Sequence, residues 1–381
     1  MEIGQLRKEI DAIDKEMLSL FERRMQISTD IAEYKRTNNL PVYDAKRERE
    51  KIASVADAAS EGMKDYAKNF MTELMDFSKC YQRQVLYKKD ELAEKIENAI
   101  ANSDKMLPEG PLVACQGVEG AYSQIATDRM FHSPNIMYFG NFEGVFAAVD
   151  QGLCKYGVLP VENSTAGSVN KIYDLMMKYN FYIVKGLRLK IDHNLLVNPG
   201  VKKSDIKEIF SHEQAIAQCS EYLKQFPADV KITVCENTAL AAKMVAQSGR
   251  TDAAALSSRF CAELYGLKML EKAVQDRDNN YTRFICISKE LQILPGADKT
   301  SVMMVIGHKP GELYKILSKF YMLGINLTKL ESRPISERDF EFMFYFDLET
   351  SVYSDKFIHL MSELNERCEE FKYLGSYLET V

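Results

Sequence analysis

The sequence has no apolar run of 18 residues, so it offers no membrane-spanning helix. Its first residues, Met-Glu-Ile-Gly-Gln-Leu-Arg-Lys, lack the apolar core of a signal peptide. Eight cysteines stand singly at 80, 115, 154, 219, 235, 261, 286 and 368, with no CxxC pair and no Cys/His spacing suited to a metal. They read as buried thiols of a reducing compartment, and the expected location is cytoplasmic. A net charge of −6 with no basic stripe or tail argues against nucleic acid as a partner. No metal or organic cofactor is expected. What is there, 46% hydrophobic and 27% charged residues, is the composition of a soluble globular protein. At 381 residues the chain is too long for one core and calls for two or three domains.

Between Gln5 and Glu61 there is no glycine, and the one proline is Pro41. The spacing predicts a first helix from about Ile3 to Arg36, roughly 50 Å long. Its seam, Leu6, Ile10, Ile13, Met17, Leu20, Arg24, Ile27, Ile31, Tyr34, alternates steps of four and three. A helix that long cannot bury its stripe within about 90 residues, so a partner chain is expected. Arg24 interrupts the stripe and needs either an anion or a role in setting register. Lys35 lies on nearly the same face, whereas Arg7 is about 25 Å from Arg24 along the helix and can reach the same ligand only from a second chain. Asp44, Arg47 and Glu48 share a face of the next helix. A third, about Tyr66 to Leu86, sets Ser78 and Gln82 one turn apart, with Cys80 and Gln84 as the alternative register.

Arg7, Arg24, Lys35, Asp44, Arg47, Glu48, Ser78 and Gln82 resemble the all-helical chorismate mutase family position for position. The resemblance, over about residues 3 to 88, implies three helices per chain in an intertwined dimer. It implies that Arg24 and the partner's Arg7 clamp the two chorismate carboxylates. Lys35 and Gln82 would bond the ether oxygen, while Asp44 and Glu48 hold the ring hydroxyl and nearby groups. A pericyclic rearrangement needs no nucleophile, only a compact conformer and charge placed where the breaking C–O bond develops it.

Lys88 to Glu109 is a charged and polar stretch whose first part is expected to extend the third helix. From Leu112 strands and helices alternate in two successive sets, which predicts two α/β lobes with a ligand cleft between them. One stretch stands out. The apolar run Tyr156–Val161 ends in Glu162, Asn163, Ser164 and Thr165, and a helical pattern opens at Ser168. A strand entering a helix N-terminus through small polar residues is a seat for an anion, or an ordinary capped turn. Further polar clusters occur at Ser211-His212-Glu213-Gln214, Glu236-Asn237-Thr238 and Asn279 to Phe284.

The motifs Gly120-Ala121-Tyr122-Ser123, Gly157 to Val169, Ser211 to Ala215, Asn237-Thr238-Ala239 and Thr282-Arg283-Phe284 closely resemble prephenate dehydratase. The resemblance implies a two-lobed α/β fold like that of periplasmic binding proteins. It implies Thr282 as the main catalytic residue, Arg283 as a carboxylate ligand or brace, and a pocket lined by Glu162, Asn163, Ser164, Thr165, Gln214 and Phe284. Loss of CO₂ and the ring hydroxyl is driven by aromatisation, so the enzyme has only to hold the dicarboxylate and donate a hydrogen bond or proton to the leaving group. Glu162 is the alternative donor, if burial raises its pKa.

Residues 300 to 381 read as βαββαβ. His308 to Leu313 and Glu331-Ser332-Arg333-Pro334 resemble ACT regulatory domains, an α+β ferredoxin-like fold. The resemblance implies phenylalanine bound at a dimer interface by Gly311, Leu313, Asn326, Leu327, Glu331, Ser332, Arg333 and Pro334. Glu312 departs from the small residue usual after that glycine. The expected domains are a mutase at 1–90, a linker at 91–110, a dehydratase at 111–288 and a regulatory domain at 300–381. Together they describe a bifunctional enzyme that turns chorismate into prephenate and prephenate into phenylpyruvate, with feedback by phenylalanine and a homo-oligomeric assembly. A sensor without turnover, or a dehydratase whose helical domain only dimerises, are the alternatives.

Overall fold

The computed structural model describes residues 2–38, 40, 44–86, 89–335 and 341–381. They divide into two compact units, Met1–Glu91 and Leu92–Val381.

The first unit is helical: α1 (Ile3–Thr37), α2 (Ala45–Ala58) and α3 (Lys64–Leu86). With no proline, and its one glycine, Gly4, in the first turn, α1 runs unbroken for 35 residues, about 52 Å. Its face against α3 is narrow, with Ser28 and Ala32 buried and Phe21 meeting Phe77 edge to face at 6.4 Å. The predicted seam lies elsewhere on the helix. Leu6, Ile10, Ile13, Met17, Leu20, Ile27, Ile31 and Tyr34 are all exposed.

The second unit begins with α4 (Glu91–Asn102), a separate helix rather than an extension of α3. Its buried Ala93, Ile96 and Ala99 fall on one face, so packing within its own unit sets where it starts. In chain order there follow β1 (Leu112–Gln116), α5 (Tyr122–Met130), β2 (Asn135–Phe139), α6 (Phe142–Asp150), β3 (Tyr156–Asn163), β4 (Gly167–Ser168), α7 (Asn170–Lys178) and β5 (Tyr182–Lys190). Then come β6 (Asn194–Val197), β7 (Glu208–His212), α8 (Glu213–Gln218), α9 (Ser220–Leu223), β8 (Lys231–Cys235), α10 (Thr238–Ser248), β9 (Ala253–Ser257), α11 (Arg259–Tyr265), β10 (Lys268–Glu271) and β11 (Tyr281–Ser288). The chain closes with β12 (Lys299–Val305), α12 (Glu312–Met322), β13 (Asn326–Pro334), β14 (Phe342–Glu349), α13 (Asp355–Arg367), β15 (Glu370–Tyr377) and β16 (Glu379–Thr380).

Three sheets result. The first has the order β16-β5-β11-β3-β1-β2, with β4 on β3; the second is β10-β6-β9-β7-β8; the third is β13-β14-β12-β15. The chain passes from the first sheet to the second between β5 and β6 and returns between β10 and β11, so the first two sheets form lobes joined by two crossovers. The sequence from Phe181 to Val197 reads as one long strand-like run and is two strands in two sheets, divided at Ile191-Asp192-His193, where neither glycine nor proline marks the break.

The third sheet is antiparallel and carries the expected βαββαβ order. Met303, Val305, Met343, Tyr345 and Leu374 pack into one core with Ile172, Tyr173 and Met176 of α7. Gly375, at φ +126, lets β15 lie on β5: a Cβ there would stand 2.5 Å from the Ile183 carbonyl oxygen.

Candidate functional site

In the helical unit Arg24 donates from Nη1 to Ser78 Oγ and, at 3.0 Å, to the Leu74 carbonyl of α3. Its partial burial lowers its pKa. Ser78 is buried and donates to the same carbonyl, and Gln82, one turn on, is buried with its Oε1 unpartnered among the described residues. Glu48 pairs with Lys79 at 2.9 Å, and Lys79 also meets Asp76 at 2.7 Å. Burial alone would lower the Lys79 pKa, but the two carboxylates raise it. Asp44 accepts the Arg47 amide as the N-cap of α2, so its carboxylate serves the helix end. Lys35 is half-buried near the end of α1, and Arg7 is exposed near its start. The fold thus gathers Arg24, Ser78 and Gln82 between α1 and α3 and leaves Arg7 apart.

The second site is at the crossovers. β3 and β11 pair antiparallel, with Thr282 opposite Asn163 and Arg283 opposite Glu162. Side chains alternate across a sheet, so each strand sends one residue of the pair to each face. On the cleft face Asn163 Nδ2 donates to Thr282 Oγ1 at 3.0 Å and to Asn280 Oδ1 at 2.8 Å. Asn163 Oδ1 accepts the backbone N–H groups of Thr165 and Ala166 at 3.0 and 2.9 Å. Those amides donate only, so they fix which way the Asn163 amide points. Thr282 Oγ1 is then an acceptor toward Asn163, and among the described residues its own proton has no acceptor, which leaves it available to the cleft.

This turn differs from the expected strand-to-helix passage. The chain doubles back through β4, with Ser168 opposite Glu162, and α7 begins only at Asn170. The local cause is Asn163, whose side chain caps the N–H groups two and three residues ahead and competes with helix initiation. The amides of Thr165 and Ala166 that would have seated an anion are occupied internally.

Gln218, at the last position of α8, escaped the sequence reading. Its Nε2 donates to Thr165 Oγ1 at 2.7 Å, and its Oε1 accepts from Asn280 at 2.8 Å. It ties the second lobe to the first. Gln214, the residue expected there, is exposed and contributes its backbone N–H to the His212 N-cap. Helices α8 and α9 break at Cys219 instead of running on to Phe226, which sets Gln218 at a helix end. Ser164 bridges the strands, donating to the Asn279 carbonyl at 2.6 Å and accepting the Tyr281 amide at 2.9 Å. Phe284 is buried in the core beneath α5, away from solvent.

The opposite face belongs to the third sheet. Arg283 is 7% exposed and is held by Asp347, Glu379 and the Tyr377 hydroxyl. Glu162 pairs with Lys329 of β13 at 2.8 Å. A cavity of about 390 Å³ opens there, lined by Glu162, Arg188, Arg283, Lys329 and Asp347 among others. Its cations are matched by carboxylates, so Arg283 is a brace between sheets and stands apart from Thr282. On β13 Glu331 accepts from Ser168 at 2.6 Å and Arg333 pairs with Asp174 at 2.9 Å. Ser332 and Pro334 point outward, exposed. Gly311 caps α12 at φ +85, with Leu313 half-buried two residues on. Asn326 donates to Glu349 at 2.8 Å, and Leu327 beside it is half-buried. Glu312 pairs with Lys315 at 2.8 Å.

A helical unit with a partly buried arginine, followed by two α/β lobes tied together by an uncharged network of hydroxyls and amides, defines a multidomain enzyme with two separate sites. Residues 6–83 match the chorismate mutase type II family and residues 113–292 the prephenate dehydratase family. The chain is 31% identical to a bifunctional chorismate mutase/prephenate dehydratase of Aquifex aeolicus, covering 99% of this chain and 98% of that one. It is 38% identical to arogenate dehydratase 2 of Petunia hybrida, over 70% of this chain and 71% of the relative. Among solved structures, prephenate dehydratase of Arthrobacter aurescens in complex with L-Phe superposes with a TM-score of 0.64 at 26% identity, covering 70% of this chain and 89% of that one. The chain belongs to the bifunctional chorismate mutase/prephenate dehydratase family.

Proposed function

We propose that the chain rearranges chorismate to prephenate in its helical unit and converts prephenate to phenylpyruvate in the cleft between the lobes. The observation that carries the second step is the orientation of Asn163, which accepts two backbone N–H groups and leaves the Thr282 hydroxyl a donor. A threonine so placed donates its hydrogen bond to the leaving ring hydroxyl as CO₂ departs. The hydrogen-bonded groups around it are uncharged, which suits a reaction whose driving force is aromatisation. The substrate carboxylates have seats at the first turns of α5 and α10, which approach each other at Gly120: a Cβ there would lie 2.9 Å from Cys261 Sγ and 3.5 Å from Ala239 Cβ.

In the mutase, Arg24 and the buried Gln82 are the electrostatic and hydrogen-bonding groups, and the partner's Arg7 completes the carboxylate clamp. The exposed seam of α1 supports an intertwined dimer. The βαββαβ sheet supports an ACT-type, ferredoxin-like regulatory domain at 300–381, following a dehydratase at 111–288 of periplasmic-binding-protein-like design. Phenylalanine is its effector, bound around Gly311 and Asn326 between two copies. Eight free thiols suit a reducing cytoplasm. Arogenate, with an amine in place of the side-chain keto group, is a second dehydratase substrate favoured by the Petunia relative's name.

Purified protein incubated with chorismate, with and without phenylalanine, tests the whole reading. Prephenate should appear and then phenylpyruvate, with the second product suppressed by phenylalanine. Accumulation of prephenate, with arogenate also left intact when supplied, would refute the dehydratase. A kcat/KM for arogenate above that for prephenate would reassign its substrate.

A further inference from the structure

His193 lies on the first crossover, between β5 and β6, and is 3% exposed. Its backbone is fixed on both sides: its N–H donates to Gln275 Oε1 at 2.9 Å and its carbonyl accepts Val274 N–H at 2.8 Å. Its ring Nε2 is 2.9 Å from Gln218 Oε1, and Nδ1 is buried with no partner among the described residues. Tyr122 meets the ring edge to face at 6.3 Å and spends its hydroxyl on the Asp192 carbonyl.

The direction of each hydrogen bond here follows from two backbone groups. The amides of Thr165 and Ala166 turn Asn163 Oδ1 toward themselves, so Asn163 Nδ2 donates to Asn280 Oδ1. Asn280 therefore presents its Nδ2 to Gln218, and the Gln218 atom that receives it is Oε1. An amide oxygen only accepts, so His193 must donate to it, with its proton on Nε2 and none on Nδ1. Burial also lowers the His193 pKa, in keeping with a neutral ring.

We infer that His193 is a positioning residue of the dehydratase site, whose Nε2–H holds the Gln218 carboxamide in the orientation that donates to Thr165 and accepts from Asn280, the two residues that buttress Asn163 beside Thr282. The inference rests on the dehydratase reading above. A turned Gln218 would set its oxygen against Asn163 Oδ1, 3.4 Å from the present nitrogen, and would bring two NH₂ groups face to face at Asn280. Once the imidazole is gone, that turn is opposed only by the contacts to Asn163, Thr165 and Asn280. The consequence reaches Thr282 three hydrogen bonds from Gln218, through Asn280 and Asn163.

Three variants of the full chain test this, with the melting curve of each variant against wild type as the measure of folding. Glutamine can carry an N–H to the place of Nε2, asparagine only to that of Nδ1, and leucine to neither. His193→Leu and His193→Asn should lower dehydratase kcat about 10- to 100-fold with KM changed far less, and His193→Gln should stay within about threefold of wild type. In ¹⁵N-histidine-labelled wild type, one of the five histidines should report a proton on Nε2 and a bare Nδ1. Wild-type kcat in His193→Leu, equal losses in the Asn and Gln variants, or a proton on Nδ1 would overturn the inference and leave the dehydratase reading standing. A wild-type chain that leaves both prephenate and arogenate intact would sink both.

Discussion

Thr282 and Arg283 are neighbours with opposite surroundings, one in an uncharged cleft and the other in a buried ion cluster. Thr282→Ala should lower dehydratase turnover by about 10³-fold and leave mutase turnover unchanged, measured on the same preparation with each substrate supplied separately. Near-wild-type dehydratase activity would remove Thr282 from the mechanism. At this scale the sequence was legible where a motif is local. Asn163, Thr165 and Thr282 come together in one network, and Ser78 meets Arg24. It was not legible where the deciding fact is which way a side chain faces. Gln214 and Gln218 lie one turn apart on one helix, and only the break at Cys219 and the position of the opposite lobe select the second. Arg283 was ambiguous for the same reason, since its partners Asp347, Tyr377 and Glu379 are distant in sequence.

Elements were recovered where polar punctuation separates them, and merged where it does not. The βαββαβ segment has its six elements in the expected order, whereas 181–197 reads as one strand and is two. Glu208 shows how an element junction is held. Its carboxylate on β7 accepts from Thr233 and pairs with Arg250 and Lys231, which together lower its pKa from 4.5 to about 2. A carboxyl whose folded pKa is depressed stabilises the fold above its unfolded value, and that contribution is lost as pH falls from about 5 toward 2. Glu208→Gln should therefore cost about 1–2 kcal/mol at pH 7 and progressively less on acidification. Melting curves of both proteins between pH 7 and 3 give the comparison. A gap that does not narrow would mean that Glu208 acts through packing.

On the whole-molecule scale the helical unit leaves ten large apolar residues exposed along α1 and Arg7 far from Arg24. If the clamp is completed across two chains, Arg7→Ala and Arg24→Ala should each abolish mutase activity, and co-expressed together they should recover about a quarter of it. Half the dimers would then be mixed, each with one intact site of two. No recovery would mean that both arginines serve the same chain. The dehydratase activity of both variants should stay near wild type, because that cleft is built entirely within the second unit.

The last strand carries a consequence for how this chain can be divided. Strand β16 pairs parallel with β5 through Glu379 and Thr380, and Glu379 also holds Arg188, Arg283 and Lys299. A cut after β11, at the apparent domain boundary, would strip β5 of its neighbour and leave a naked strand rim beside an unneutralised arginine. Such a rim is a template for pairing with other molecules. The C-terminal segment thus covers one rim of the dehydratase sheet and neutralises its arginines, so a chain cut after β11 should associate more readily than the full chain, measured by light scattering at equal concentration.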